Sequence, residues 1–175
     1  MSGVLLVGGA SRRFGSPKAL ASWRGETLAE RAWRVLGEAC DERVAVGKVG
    51  DGLELPFPVR DDGSRVRAPM AGIVAGLEAA ENELCVVLPV DCPLVTAGAL
   101  LELAAASASA DAAVPQTGPL PGAYRKSALP VLQRRLAAER LSVAEALSEL
   151  DTRTVVLDER VLVNVNTPDD LRGLG

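Results

Sequence analysis

Short apolar runs closed by turn residues alternate along this chain with longer stretches in which apolar positions return every three or four residues. The first run, Val4-Leu5-Leu6-Val7, is apolar throughout and stops at Gly8-Gly9, the pattern of a buried strand. Thr27-Leu28-Ala29-Glu30 has the form of a capping box, and Leu28, Ala32, Val35 and Leu36 then share one helical face until Gly37 and Asp41-Glu42 close it. Arg43-Val44-Ala45-Val46 predicts a second strand ending at Gly47, and Pro56 and Pro58 leave room for only a short one after it. A charged loop over residues 60–67 leads to Pro69, which suits the first turn of a helix with Ile73, Val74 and Leu77 as its buried stripe. Gly72 and Gly76 weaken that helix locally; they serve either close packing on a sheet or, in addition, access for a ligand.

The most hydrophobic strand candidate, Leu84-Cys85-Val86-Val87-Leu88, delivers Pro89-Val90-Asp91-Cys92-Pro93 to its end. Thr96 caps an Ala- and Leu-rich helix to about Ala106, and Asp111-Ala112-Ala113-Val114-Pro115 predicts another strand. A Gly/Pro-rich loop over residues 116–122, helices near 127–138 and 142–150, and a strand at 154–157 follow. The closing stretch alternates Val163-Asn164-Val165-Asn166, so on a strand both amides share one face, and Thr167-Pro168-Asp169-Asp170-Leu171 starts a short capped helix. Strands alternating with helices imply a single-domain α/β fold over residues 1–175: three layers, α/β/α and Rossmann-like, around a mainly parallel sheet. Ligands of such sheets sit at the carboxyl ends of the strands. The loop after the first strand and Asp91 both belong to that edge.

Composition narrows the chemistry. Hydrophobic residues are 48% of the 175 but aromatics only 3%, so Leu, Val and Ala pack the core. With 19 basic against 23 acidic residues and a net charge of -4, neither a nucleic acid nor a membrane surface is an expected partner. Histidine is absent, which removes histidine bases, triads and most zinc sites. The odd number of cysteines, Cys40, Cys85 and Cys92, fits buried thiols in a reducing cytoplasm. Residues 1–9 lack the charged start of a signal peptide, and no apolar run reaches membrane-spanning length.

Against that background the loop from Gly8 to Lys18 stands out, with its glycines and with Arg12, Arg13 and Lys18. Pro17 and Ala19 flank Lys18, so it is not a P-loop, and the glycines at 8, 9 and 15 lack the dinucleotide spacing. A glycine turn with Arg13 and Lys18 folded over phosphates remains, against a surface loop with incidental cations. A carboxylate at the end of the most apolar strand is costly unless paired or bound to metal, so Asp91 is either a turn-forming cap or a Mg²⁺ ligand. Asp61 and Asp62 are either solvated or part of the site. Asn164 and Asn166 either cap the last helix or bind a polar ligand.

Taken together and in order, these segments resemble the molybdenum cofactor guanylyltransferase family, within the nucleotidyltransferases of glycine-rich-loop type. The resemblance covers almost the whole chain: Leu6-Val7-Gly8-Gly9 with Arg13-Phe14-Gly15 and Lys18, then Asp61, Ala68-Pro69-Met70-Ala71-Gly72-Ile73, Leu88-Pro89-Val90-Asp91-Cys92-Pro93, and Asn164-Val165-Asn166-Thr167-Pro168-Asp169-Asp170-Leu171. Phe14, Ala68 and Gly47 depart from the pattern, where Met, Gly and, in some relatives, Asn are found.

The resemblance implies that Leu6, Val7, Gly8, Gly9 and Lys18 hold a guanosine nucleotide. It brings in Asp61 too, which is preferred to Asp62 because it lies seven residues before Ala68, the family's register. It makes Asp91 a ligand of both nucleotide and Mg²⁺, and Asn164 and Asn166 contacts for a pterin. Gly8, where cytidylyl relatives tend to carry Ala, points to guanine. The implied reaction joins GMP from GTP to molybdopterin, or to molybdenum-molybdopterin, and releases pyrophosphate. On that resemblance Arg13, Lys18 and Asp91 are the expected catalytic residues, Mg²⁺ the expected cofactor, and other molybdenum cofactor biosynthesis proteins and acceptor apoenzymes the expected partners. The alternatives are another nucleotidyltransferase, of cytidylyl or sugar-phosphate type, and a GTP-binding regulatory module without transfer activity.

Overall fold

The structure of the protein, a computed structural model, describes residues 1–8, 14 and 17–175. The chain begins with β1 (Ser2–Leu6) and, after a 3-10 turn at Lys18–Leu20, forms a small hairpin of β2 (Ser22–Trp23) and β3 (Glu26–Thr27). Then follow α1 (Leu28–Ala39), β4 (Glu42–Gly47), β5 (Val59–Asp61), α2 (Pro69–Ala79) and β6 (Leu84–Pro89). The second half comprises α3 (Ala97–Ala106), β7 (Ala112–Pro115), β8 (Gly122–Arg125), α4 (Leu129–Ala137), α5 (Val143–Leu147), β9 (Thr152–Val155) and α6 (Pro168–Gly173).

Seven strands form one sheet in the order β5-β4-β1-β6-β8-β7-β9. All neighbours run parallel except β8, which is antiparallel to both β6 and β7. The alternation of side chains along a strand divides the core into two layers. Leu5 of β1 and Val86 and Leu88 of β6 face α1 and α3, packing with Val35, Leu36, Leu100 and Leu103. Val4 and Leu6 of β1 and Val87 of β6 face α2 and α4, packing with Ile73, Leu77 and Leu132. Strands covered on both faces have no polar side to show, which is why β1 and β6 read as unbroken apolar runs. The result is the expected three-layer α/β/α fold with a mixed, mainly parallel sheet.

The helix signals resolve in physical detail. Thr27 Oγ1 accepts from Glu30 N at 3.1 Å while the Glu30 carboxylate accepts from Thr27 N at 2.8 Å, completing the capping box of α1. That helix runs through Gly37 to Ala39, and Arg43 packs over the glycine: a Cβ there would lie 2.7 Å from its Nη1. In α2 a Cβ at Gly72 would come within 2.8 Å of Leu6 Cδ2, and one at Gly76 would overlap Val4. These glycines set how closely α2 rests on β1.

Two segments differ from expectation. Gly122-Ala123-Tyr124-Arg125, expected as the end of the Gly/Pro-rich loop before a helix, is the antiparallel strand β8 in the middle of the sheet. Residues 163–166 form no strand; Val165 N instead donates to the Asp91 carbonyl at 2.8 Å, which holds the segment against the end of β6. No described helix is long and apolar enough to cross a membrane.

The chain passes from β1 through α1 to β4 on one side of β1, and later crosses to β6 on the other. The carboxyl ends of β1 and β6 therefore flank a topological switch point, where open α/β sheets leave a crevice.

Candidate active site

Asp91 is two residues beyond β6, at this crevice. Its carboxylate takes Lys18 Nζ at 3.2 Å, and the same ammonium reaches Asn166 Oδ1 at 3.3 Å. The Asn164 amide, with its nitrogen turned to Asp91, lies 2.8 Å from the carbonyl oxygen and 2.9 Å and 3.2 Å from the two carboxylate oxygens. Asp91 thus gathers a cation from the loop after β1 and the Asn164 amide from the segment before α6, whose Asn166 amide meets that same cation. Asp170 fixes that segment from below, accepting from Asn166 N and Thr167 N at 2.8 Å and 2.9 Å. The Asp91 and Lys18 side chains keep 25% and 14% of their surface exposed, so the pair is open to exchange. Next to it, burial and then the Asp91 charge push the Cys92 thiol well above its ordinary range; it stays protonated and donates to Asp91 Oδ1 at 3.7 Å. No group of three or more His, Cys, Asp and Glu residues able to hold a metal occurs among the described residues.

A cavity of about 360 Å³ opens beside Asp91. Its floor is the carboxyl edge of the sheet, where Val46, Leu6 and Pro89 sit in register on β4, β1 and β6. Ala68, Pro69 and Gly72, at the start of α2, close one side, and Leu120 contributes another apolar contact. Gly8 and Gly47 give bare backbone: a Cβ at Gly8 would stand 3.5 Å from Gly47 Cα. The cavity has two polar regions, Asp91 with Asn164, and Lys48 with Asp62 and Arg67. Lys48 and Asp62 are paired at 2.6 Å. Arg67 holds Asp51 through both guanidinium nitrogens at 2.9 Å and 2.6 Å and keeps that carboxyl below the usual range.

Of the residues singled out in the sequence, Leu6, Gly8, Asp91 and Asn164 line the cavity, Lys18 joins them through Asp91, and Asn166 through Lys18. Val7 is buried behind, its N–H donating to Val46 O at 3.0 Å. Gly9 and Arg13 lie outside the described residues. Asp61 is exposed and away from the lining; its carboxylate accepts from Val49 N at 2.9 Å and Gly63 N at 2.8 Å, bonds that hold it below the usual range. Asp62, one residue on, is the acidic side chain of this loop that faces the cavity. Lys48 and Arg67 had no distinguishing signal in the sequence, since isolated cations beside a strand end and a helix start read as surface residues.

A sheet edge with a cation, a carboxylate and an apolar slot is common to many nucleotide-binding folds. The decisive observation is the match of residues 3–156 to the family model described as "MobA-like NTP transferase domain". The chain belongs to the MobA-like NTP transferase family. It is accordingly an enzyme of the nucleotidyltransferase superfamily, with a nucleotide as its expected ligand class.

Individual members agree. The "Probable molybdenum cofactor guanylyltransferase" of Chloroflexus aggregans is 35% identical, the alignment covering 98% of this chain and 92% of that protein. The protein of the same description from Bacillus subtilis is 33% identical, with 95% and 90% covered. Among solved structures, molybdopterin-guanine dinucleotide biosynthesis protein A from Archaeoglobus fulgidus is 26% identical and superposes with a TM-score of 0.82 over 99% of this chain and 96% of that one. The 2-C-methyl-D-erythritol 4-phosphate cytidylyltransferase of Thermus thermophilus, 19% identical with a TM-score of 0.74 over 97% and 94%, shares the fold. The fold of this family therefore does not by itself choose the base.

Proposed function

We propose that this MobA-like transferase joins GMP from GTP to molybdopterin, or to its molybdenum-bound form, with release of pyrophosphate and with Mg²⁺ as cofactor. The observation that carries the reading is the convergence of Lys18 and Asn164 on Asp91 at one end of the cavity, with Asn166 on the same Lys18 ammonium. The likeness of the chain to proteins described as "Probable molybdenum cofactor guanylyltransferase" supports this choice of base and acceptor.

The attacking group in this reading is the terminal phosphate of the pterin. A phosphate monoester with a second pKa near ~6 is mostly dianionic at neutral pH, so an oxygen attacks without a general base. This suits a chain with no histidine. A bond forms from that oxygen to the α-phosphorus of GTP, and the bond from the α-phosphorus to the bridging oxygen breaks as pyrophosphate leaves. The remaining obstacle is bringing two anions together, which calls for positioning and charge neutralisation. Lys18, with Arg13, meets the charge of the β- and γ-phosphates, Lys18 exchanging the Asp91 carboxylate for phosphate oxygens. Asn164 and Asn166 orient the acceptor.

One accessible carboxylate is a donor set that suits Mg²⁺, which binds one or two carboxylates and completes its shell with phosphate oxygens and water. Asp91 would hold it, and the ion would neutralise charge at the reacting phosphates. Three free cysteines fit a cytoplasmic setting, and the proposed reaction implies other cofactor-biosynthesis proteins and acceptor apoenzymes as partners.

Calorimetry with GTP, CTP, ATP and UTP, followed by pyrophosphate assays with and without molybdopterin, tests the reading. Tightest binding of GTP, and pyrophosphate release only with pterin and Mg²⁺ together, is expected. A preference for CTP would replace it with the cytidylyl alternative, and GTP binding without release would favour a regulatory module.

A further inference from the structure

The transfer chemistry above leaves the second polar end of the cavity without a role. Lys48 and Asp62 are the first residues beyond β4 and β5, parallel neighbours whose last residues, Gly47 and Asp61, are in register. The two side chains meet at 2.6 Å with only 13% and 8% of their surface exposed, and both line the cavity. An ammonium carries three donors. Lys48 directs one to Asp62 Oδ1 and a second to the Ser64 carbonyl oxygen. Asp62 Oδ1 also accepts from Ser64 N at 2.9 Å, so the loop holds the pair in place. Stability alone does not account for a closed-off ion pair, because apolar replacements of such pairs are commonly as stable.

The surroundings indicate what the third donor meets. Beside the pair the wall is the backbone of Gly8 and Gly47, and Leu6, Val46 and Gly72 complete an apolar slot. An apolar slot with one polar edge suits a heteroaromatic base. Guanine presents an acceptor oxygen at position 6 where adenine presents an amino donor. We infer that Lys48 is a base-selecting residue, its ammonium held by Asp62 and Ser64 so as to donate to the 6-oxo oxygen of a purine. This rests on the guanylyl reading of the preceding section. A lysine has no acceptor to offer an amino group, so the same residue that favours a 6-oxopurine disfavours adenine.

The test compares wild type and Lys48→Met by calorimetry with GTP, 6-thioguanosine triphosphate and ATP. Sulfur at position 6 is a poor acceptor, while N1–H and the 2-amino group are kept. Wild type is expected to bind GTP about 10- to 100-fold more tightly than the thio analogue, the factor of a charge-assisted hydrogen bond. In Lys48→Met that ratio falls to about one and ATP binding does not weaken. A ratio unchanged by the substitution, or equal loss for all three nucleotides, overturns the inference and leaves the guanylyl reading standing. A wild type that prefers CTP or ATP to GTP overturns both. Because Met leaves Asp62 without its partner, Lys48→Gln is measured alongside. Its amide still donates to Asp62 and can also accept from adenine, so the ATP-to-GTP affinity ratio rises about tenfold; no change in that ratio counts against the inference.

Discussion

At one end of the cavity Lys18 and Asp91 meet at 3.2 Å from positions 73 residues apart, with a quarter of Asp91 exposed; at the other, Lys48 and Asp62 meet at 2.6 Å across 14 residues, with Asp62 8% exposed. Both are lysine–aspartate pairs at the carboxyl edge of one sheet, yet they are suited to different work. The first is built from long contacts by segments remote in sequence, so each partner can leave for another ligand. The second is held by a short loop whose backbone takes up one oxygen and one donor. In the proposed reaction the Asp91 end takes metal and phosphate, and so has to exchange partners. An end that reads a base is better fixed beforehand.

The largest test of this contrast is Asp91→Asn. The amide keeps the shape of the carboxylate and one of its two acceptor oxygens, so stability should stay within about 1 kcal/mol while Mg²⁺-dependent turnover falls about 10³-fold or more. Retained turnover would remove Asp91 from the metal site. Next is a paired measurement of unfolding in urea. Asp62→Ala strands the closed-off Lys48 charge and should cost about 3 kcal/mol, whereas Asp91→Ala breaks a partly solvated pair and should cost under about 1 kcal/mol. Equal losses would erase the distinction between the two ends. Lys18→Ala comes third, with GTP affinity about 10- to 100-fold lower in calorimetry and turnover reduced as well. Unchanged affinity would contradict its phosphate role.

The smallest effect is a control in neither end. Cys85, near the start of β6, is fully buried, and burial pushes its thiol from 9.0 up to about 11. The unfolded chain gives up this proton first as pH rises, so stability is intact below about 9 and falls between 9 and 11, by about 1 kcal/mol at pH 10. Cys85→Ala should flatten the slope of the unfolding midpoint over that range without changing GTP binding. A slope unaltered by the substitution would contradict the burial argument.

Much of the fold was legible because its signals are local. The unbroken apolar runs of β1 and β6, the Thr27–Glu30 box and Pro69 at the start of α2 each report a cause within a few residues. Asp91 was legible for a related reason, being a charge at the end of the most apolar strand. What escaped depends on distant neighbours. Gly122-Ala123-Tyr124-Arg125 is a strand because β6 and β7 pair with it from both sides, and its own four residues show no alternation. Asn164 and Asn166 do turn to the same place, though a hydrogen bond from Val165 to Asp91 brings them there rather than a strand. Adjacent residues at a strand end point apart, so a shift of one position separates Asp61, capping its own loop, from Asp62, facing the cavity. Lys48 is enclosed only because Asp62 arrives from the neighbouring strand, which no window around Lys48 contains.

The transfer itself offers the most direct measurement. GTP labelled at its α-phosphate, incubated with the enzyme, Mg²⁺ and molybdopterin, should yield a pterin product carrying the label and one pyrophosphate for each molecule formed. Labelled GTP that passes no label to the pterin, while CTP labelled in the same position does, would contradict it.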